Sequence, residues 1–147
     1  MLANHPGDRV NWPIRRLWNV AWHIAQDHPA TGVGLGRYRE TFERYHPERL
    51  DGEGTWGNAH NVYLHQLAER GLPGLLTLLV VLGTLLAGAW RAERARSDAW
   101  SLWAATTTAA FLVMNFTEVA WQTEQVATFL LFVWLLGTSV RPTREIL

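Results

Sequence analysis

Cysteine is absent from the 147 residues, which removes disulfides, thiolate nucleophiles and thiolate zinc sites and leaves the redox compartment open. Lysine is absent as well, so all 13 basic side chains are arginine. Arginine's planar fork grips phosphate through paired hydrogen bonds. A GC-rich genome gives the same bias with no phosphate involved. The 13 acidic residues balance the arginines, and nothing resembles a nucleic-acid footprint, so nucleic acid is not an expected partner. The opening "MLANHPGDRVNW" lacks both a basic and an apolar region of the signal-peptide kind.

What is present divides near Gly71. Residues 1–70 hold eight arginines, eight acids and all six histidines, whereas residues 71–147 hold five arginines and five acids in short clusters. Gly71–Trp90 is uncharged for about 20 residues, enough to cross a hydrocarbon layer of about 30 Å as a helix. Ala99–Thr117 and the shorter Gln125–Val140 are further uncharged runs. Three such runs leave too few polar faces for a soluble fold, and they predict three membrane helices at about 72–90, 99–117 and 123–140. Arg91, Arg94 and Arg96 lie between the first two runs, and Arg141 and Arg144 follow the third. The connection "EVAWQTEQ" carries Glu118 and Glu124 with no basic residue. The positive-inside rule then puts the arginine segments in the cytoplasm and residues 1–70 outside, in the bacterial periplasm. Tryptophans near the span ends suit the interface. Gly83, Gly88, Ala105, Ala109 and Ala110 offer small surfaces for packing against other helices.

In the outer segment, residues 12–26 read as a helix with Asn11 as N-cap and Pro13 in its first turn. Ile14, Leu17, Trp18, Ala21 and Ala25 share one side, and Arg15, Arg16, Asn19, His23 and Gln26 occupy others. Such a helix fits a membrane surface or a core of its own equally well. The glycines of "DHPATGVGLGRYRETF" follow as G-x-G-x-G at Gly32, Gly34 and Gly36. A dinucleotide site needs a strand before the glycines, and a P-loop needs a GK[ST] ending; neither is there. The glycines read as a tight turn with positive φ, and Arg37 and Arg39 directly after them are candidates for binding phosphate. A polar, Gly-containing loop then leads to a second helix over residues 58–70, capped by Gly71, after which Pro73 starts the first span. A helical wheel sets His60 with Leu64 and Leu67 on the inward side and His65 with Glu69 opposite. His60 is thus either a packed core histidine or a functional one.

"DHPATGVGLGRY" followed by "AHNVYLHQLAERGLPGLL" and an apolar helix resembles the C-terminal region of the O-antigen ligase and polymerase family. The pattern covers roughly residues 15–90. The resemblance implies an all-α inner-membrane glycosyltransferase with a periplasmic helical loop followed by C-terminal spans. It implies a donor glycan on undecaprenyl diphosphate and an acceptor hydroxyl on lipid A–core, a growing polysaccharide or a protein, with no nucleotide sugar, metal or other cofactor. His60 is then the general base. Arg15, Arg16, Arg37 and Arg39 are the candidates for the diphosphate, Asn61 and Glu69 stand at motif positions, and Gly32, Gly34 and Gly36 shape the loop.

Two other classes stay open: a non-catalytic membrane module that binds a polyprenyl-linked glycan or a partner membrane protein, and a piece of a transporter. The uncharged spans argue against the transporter, whose functional groups belong within the membrane. Family members carry many spans before this region, so the chain reads as a C-terminal piece of a larger polytopic fold. The 147 residues alone are therefore expected not to transfer glycan, and measurable transfer by the isolated chain would overturn that expectation.

Overall fold

The computed structural model describes residues 8–45 and 57–139, with side chains from residue 14 onward. Among the described residues there are five α-helices: α1 (Asp8–Asp27), α2 (Tyr38–Tyr45), α3 (Val62–Arg96), α4 (Ala99–Met114) and α5 (Glu124–Ser139). A 3-10 turn, Ala120–Gln122, precedes α5, and no strand occurs among the described residues. The polar loop expected after α2 and the tail arginines Arg141 and Arg144 lie outside the described residues. The helices fall into two compact units. One holds residues 1–78 with 116–119, and the other holds 79–115 with 120–147.

In the first unit α1 starts at Asp8, before the expected boundary, so Asn11 lies inside the helix rather than capping it. Leu17, Val20, Ala21 and Ile24 recur at helical spacing and are buried against Tyr38, Phe42, Ala59 and Ala68. The apolar stripe that equally suited a membrane surface is therefore spent on the protein's own core. Full burial of a side chain such as Leu17 or Ile24 stabilises by roughly 1.5–3 kcal/mol. Two phenols pin the short α2 to α1. Tyr38 donates its hydroxyl to Leu17 O (3.0 Å), and Tyr45 donates to Asp27 Oδ2 (2.6 Å).

The glycine loop is held by a backbone exchange with α3. Gly71 has φ 66° and ψ −165°, which breaks the helix there, and Pro73 follows. Proline has no N–H, so the Glu69 carbonyl loses its i+4 donor. Leu72 N–H turns away to Pro29 O (2.8 Å), which frees the Ala68 carbonyl too. The loop supplies both missing donors: Val33 N–H to Ala68 O and Gly34 N–H to Glu69 O, each 2.9 Å. This contact requires bare backbone on both sides. A Cβ at Gly32 would stand 2.2 Å from the Glu69 carbonyl carbon, and one at Gly71 would stand 2.7 Å from that of Ala30.

In the second unit α4 and α5 pack through small residues. A Cβ on Gly137 would meet that of Ala104, and Ala89, Ala104, Ala105 and Val133 are buried together. Trp134 donates its indole N–H to Leu85 O (2.8 Å). Asp98 and Ser101 form a reciprocal capping box at the start of α4. Asn115 ends α4 before the expected Thr117, and its buried side chain donates to Phe111 O and accepts from Trp121 N–H.

Among the described residues α3 is the one helix long and apolar enough to cross a membrane, and 22% of its most apolar window is buried. A core helix of a soluble protein would be largely covered. α4 and α5 are apolar but have 16 residues each. At 1.5 Å per residue that is about 24 Å.

The exchange yields a graded expectation. Gly32→Ala should destabilise the first unit by more than about 2 kcal/mol, because backbone blocks the new methyl. Gly36→Ala, also at positive φ but with nothing within 4 Å of its Cβ position, should cost only about 1–2 kcal/mol. Thermal unfolding in detergent checks this, and equal losses would refute it.

Candidate functional site

The segment leading into α3 is built by two asparagines. Asn58 Oδ1 accepts from His60 N–H (2.9 Å), and Asn61 Oδ1 accepts from Leu64 N–H (3.0 Å) as the N-cap of α3. A cap of this type is worth about 1 kcal/mol. The helix therefore begins at Val62, not at residue 58 as the sequence suggested. His60 stands ahead of it with φ 46°, a left-handed conformation that costs a residue with a Cβ roughly 1–2 kcal/mol. His60 thus has no place on a helical wheel, and its side chain is 31% exposed rather than packed inward.

The connection between α4 and α5 meets this turn. Glu118 O accepts from Val62 N–H (3.2 Å), one of the amides that a helix start leaves unpaired. The rings of Tyr63 and Phe116 lie 4.7 Å apart. These contacts set the Glu118 carboxylate beside His60, with Oε2 3.6 Å from Nδ1. In sequence Glu118 showed only as an acid in a connection without basic residues. Nothing local in the chain pairs it with His60.

The face of α3 expected to point outward is the buried one. His65, Gln66 and Glu69 are covered, whereas Leu64 and Leu67 are half-buried. The wheel failed because the glycine loop and α2 lie over the polar side of this short stretch. His65 Nε2 is 3.6 Å from Glu69 Oε2, and its ring lies 5.1 Å from that of Tyr38. Glu69 Oε1 accepts from Tyr38 N–H (3.2 Å), so the carboxylate sits at the positive end of α2. Glu69 thereby joins loop, α2 and α3.

The arginines are surface residues of the same unit. Arg15 is exposed on α1 away from the core stripe, and Arg16 is half-buried beside it. Arg37 is exposed just before α2, its Nε 3.8 Å from Glu40 Oε2, and Arg39 is exposed in the first turn of α2. Gly34 and Gly36 both have positive φ, 104° and 70°. Among the described residues no three His, Asp or Glu side chains lie close enough to hold a metal ion.

Burial holds the His65 imidazole below the usual histidine range; the Glu69 carboxylate pulls it up and Arg70 pushes it down. Tyr38, whose ring is tilted against the imidazole, is itself raised by burial. The unfolded chain then binds a proton at His65 near pH 6.5, where the folded chain does not. This contribution to stability is full above that pH and is lost as the pH falls below it. Melting between pH 7.5 and 5 should show a steeper acid loss for the wild type than for His65→Gln, and equal slopes would refute the assignment.

Residues 15–79 match the family described as O-antigen ligase. Among curated proteins no relative matches. The matched range takes in α1 from Arg15 onward, the glycine loop, α2, His60 and the entry to the apolar part of α3. Over this segment, which contains both partners of the loop–helix exchange, the chain is similar to the O-antigen ligase family.

Proposed function

We propose that the chain carries part of the active site of a membrane glycosyltransferase that moves a glycan from undecaprenyl diphosphate to an acceptor hydroxyl on the periplasmic face. The acceptor belongs to lipid A–core, a growing polysaccharide or a protein. The observation that carries this reading is the position of His60. It is held off the helix in a left-handed turn, partly open to solvent, within the matched segment and shortly before the apolar stretch of α3. Backbone strain kept at one partly exposed titratable side chain is a mark of functional sites.

The chemistry asks for what is there. Attack at an anomeric carbon needs an acceptor hydroxyl relieved of its proton, and imidazole is suited to take it near neutral pH. The departing lipid diphosphate gains negative charge, which preorganised guanidinium groups stabilise. Arg15, Arg16, Arg37 and Arg39 serve in that role. Asn61 aims the turn through the cap, and Glu69 fixes the glycine loop to α3.

In this reading the apolar helices span the inner membrane about three times, with residues 1–70 outside. Support comes from the α4–α5 connection. Arginine placement assigns it to the same side as the N-terminal segment, and residues 116–119 belong to the compact unit of residues 1–78. A non-catalytic glycan-binding module is the second reading, favoured by the exposed arginines.

The test is His60→Ala in the full reading frame that encodes this chain. Glycan transfer in membranes should fall by at least about 10²-fold at unchanged protein level. Transfer at the wild-type rate would reject the catalytic role and leave the binding module.

A further inference from the structure

The uncharged run Gly71–Trp90 is bounded by Arg70 and Arg91. About 20 residues at 1.5 Å each cover about 30 Å, the whole hydrocarbon thickness, so a spanning α3 has no length to spare. Leu72 then stands at the outer edge of the hydrocarbon. Leu72 and Leu76 are both about half exposed.

The glycine loop is fastened to that edge. Leu72 N–H donates to Pro29 O (2.8 Å), and a Cβ on Gly71 would stand 2.7 Å from the Ala30 carbonyl carbon. Pro29, Ala30 and Thr31 are exposed at this contact. Gly34 N–H reaches Glu69 O (2.9 Å), three residues before Leu72, or about 4.5 Å of helix rise. Leu35 comes next, between two glycines of positive φ, and is 66% exposed, whereas Val33 packs against the core. The loop therefore turns a leucine outward close to the level where α3 becomes apolar.

We propose that the glycine loop docks on lipid: Pro29, Ala30 and Leu35 enter the outer leaflet of the bilayer, and Arg37 and Arg39 lie among its phosphates. The inference rests on the reading that α3 spans the membrane with residues 1–70 outside, and it gives the loop a partner, the lipid surface. Water is a poor solvent for the Leu35 side chain, and the acyl region is a good one. Arg37 and Arg39 are exposed on the residues that follow. An arginine lays its apolar stem along lipid while its fork bonds phosphate oxygens. Arg70 is exposed at the same edge, with Nη1 donating to Gln66 Oε1, and adds a third guanidinium. Glu40, 3.8 Å from Arg37, offsets part of this charge. Backbone bonds to Ala68, Glu69 and Leu72 set the depth of the loop, so docking needs no rearrangement of the fold.

These 147 residues hold no cysteine, which allows a single thiol to report on the loop. Leu35→Cys is made in the full reading frame, with any upstream cysteine changed to serine. It is labelled with a nitroxide and placed in phosphatidylethanolamine–phosphatidylglycerol vesicles. Oxygen concentrates among acyl chains and a nickel chelate in water. The oxygen-to-nickel collision ratio at residue 35 should exceed that of spin-labelled glutathione several-fold and fall below that at Leu76→Cys. A ratio equal to that of glutathione, or a label shielded from both reagents by protein, would overturn the inference.

The unlabelled thiol removes any pull from the nitroxide. A charged, membrane-impermeant maleimide should alkylate Leu35→Cys at least about 10-fold more slowly than glutathione, because lipid disfavours the reactive thiolate. Equal rates would overturn the inference too. If the label at Leu76→Cys meets nickel as freely as glutathione does, the spanning reading fails and the docking loop falls with it. If Leu76→Cys is immersed in lipid and Leu35→Cys is aqueous, this proposal alone fails.

Discussion

A proline that cannot donate a hydrogen bond sets the arrangement of the first unit. Pro73, with the break at Gly71, strips two carbonyls of their helical donors at the last turn before the apolar stretch. Buried carbonyls without partners are costly, and in this protein the amides of Val33 and Gly34 fill both places. The glycine loop is therefore the C-terminal cap of a helix that lies more than 30 residues downstream. Gly32 and Gly71 are each required by the other strand of the contact, because either Cβ would run into backbone.

From that exchange the neighbouring positions follow. Once the loop lies on Ala68 and Glu69, Tyr38 falls where its amide meets the Glu69 carboxylate and its hydroxyl meets Leu17 O. α2 is then docked against α1, and the polar side of α3 between His65 and Glu69 becomes interior. The guanidinium groups of Arg37 and Arg39 are carried on the outer surface of the same loop and helix. A change at the glycines would accordingly disturb helix, loop and arginines together. The glycines build the scaffold of a charge-bearing surface.

Much of this was legible along the chain. The all-helical character, the apolar stripe of α1, the positive-φ glycines, the cap at Gly71 and the family resemblance each rest on short-range patterns that survive folding. The errors at His60, His65 and Glu69 share a cause. The wheel drawn for residues 58–70 assumed that apolar side chains face the core, but a loop from elsewhere in the chain covered the polar face first, burying His65 and Glu69. The same wheel included His60, although Asn61 caps the helix after it and puts the histidine outside the helical register. The expected N-cap at Asn11 failed more simply, since the helix runs through it from Asp8.

Sequence alone determined where the chain is apolar enough to enter a membrane, where its helices break, and which motif carries the histidine. Composition, proline and glycine decide these locally. Only the tertiary structure decided that Glu118 stands 3.6 Å from His60, that Glu69 serves the loop, and that α1 spends its apolar face inside the protein. These depend on segments distant in the chain finding unpaired backbone groups and uncovered apolar surface in one another. No local pattern encodes which distant segment will do so.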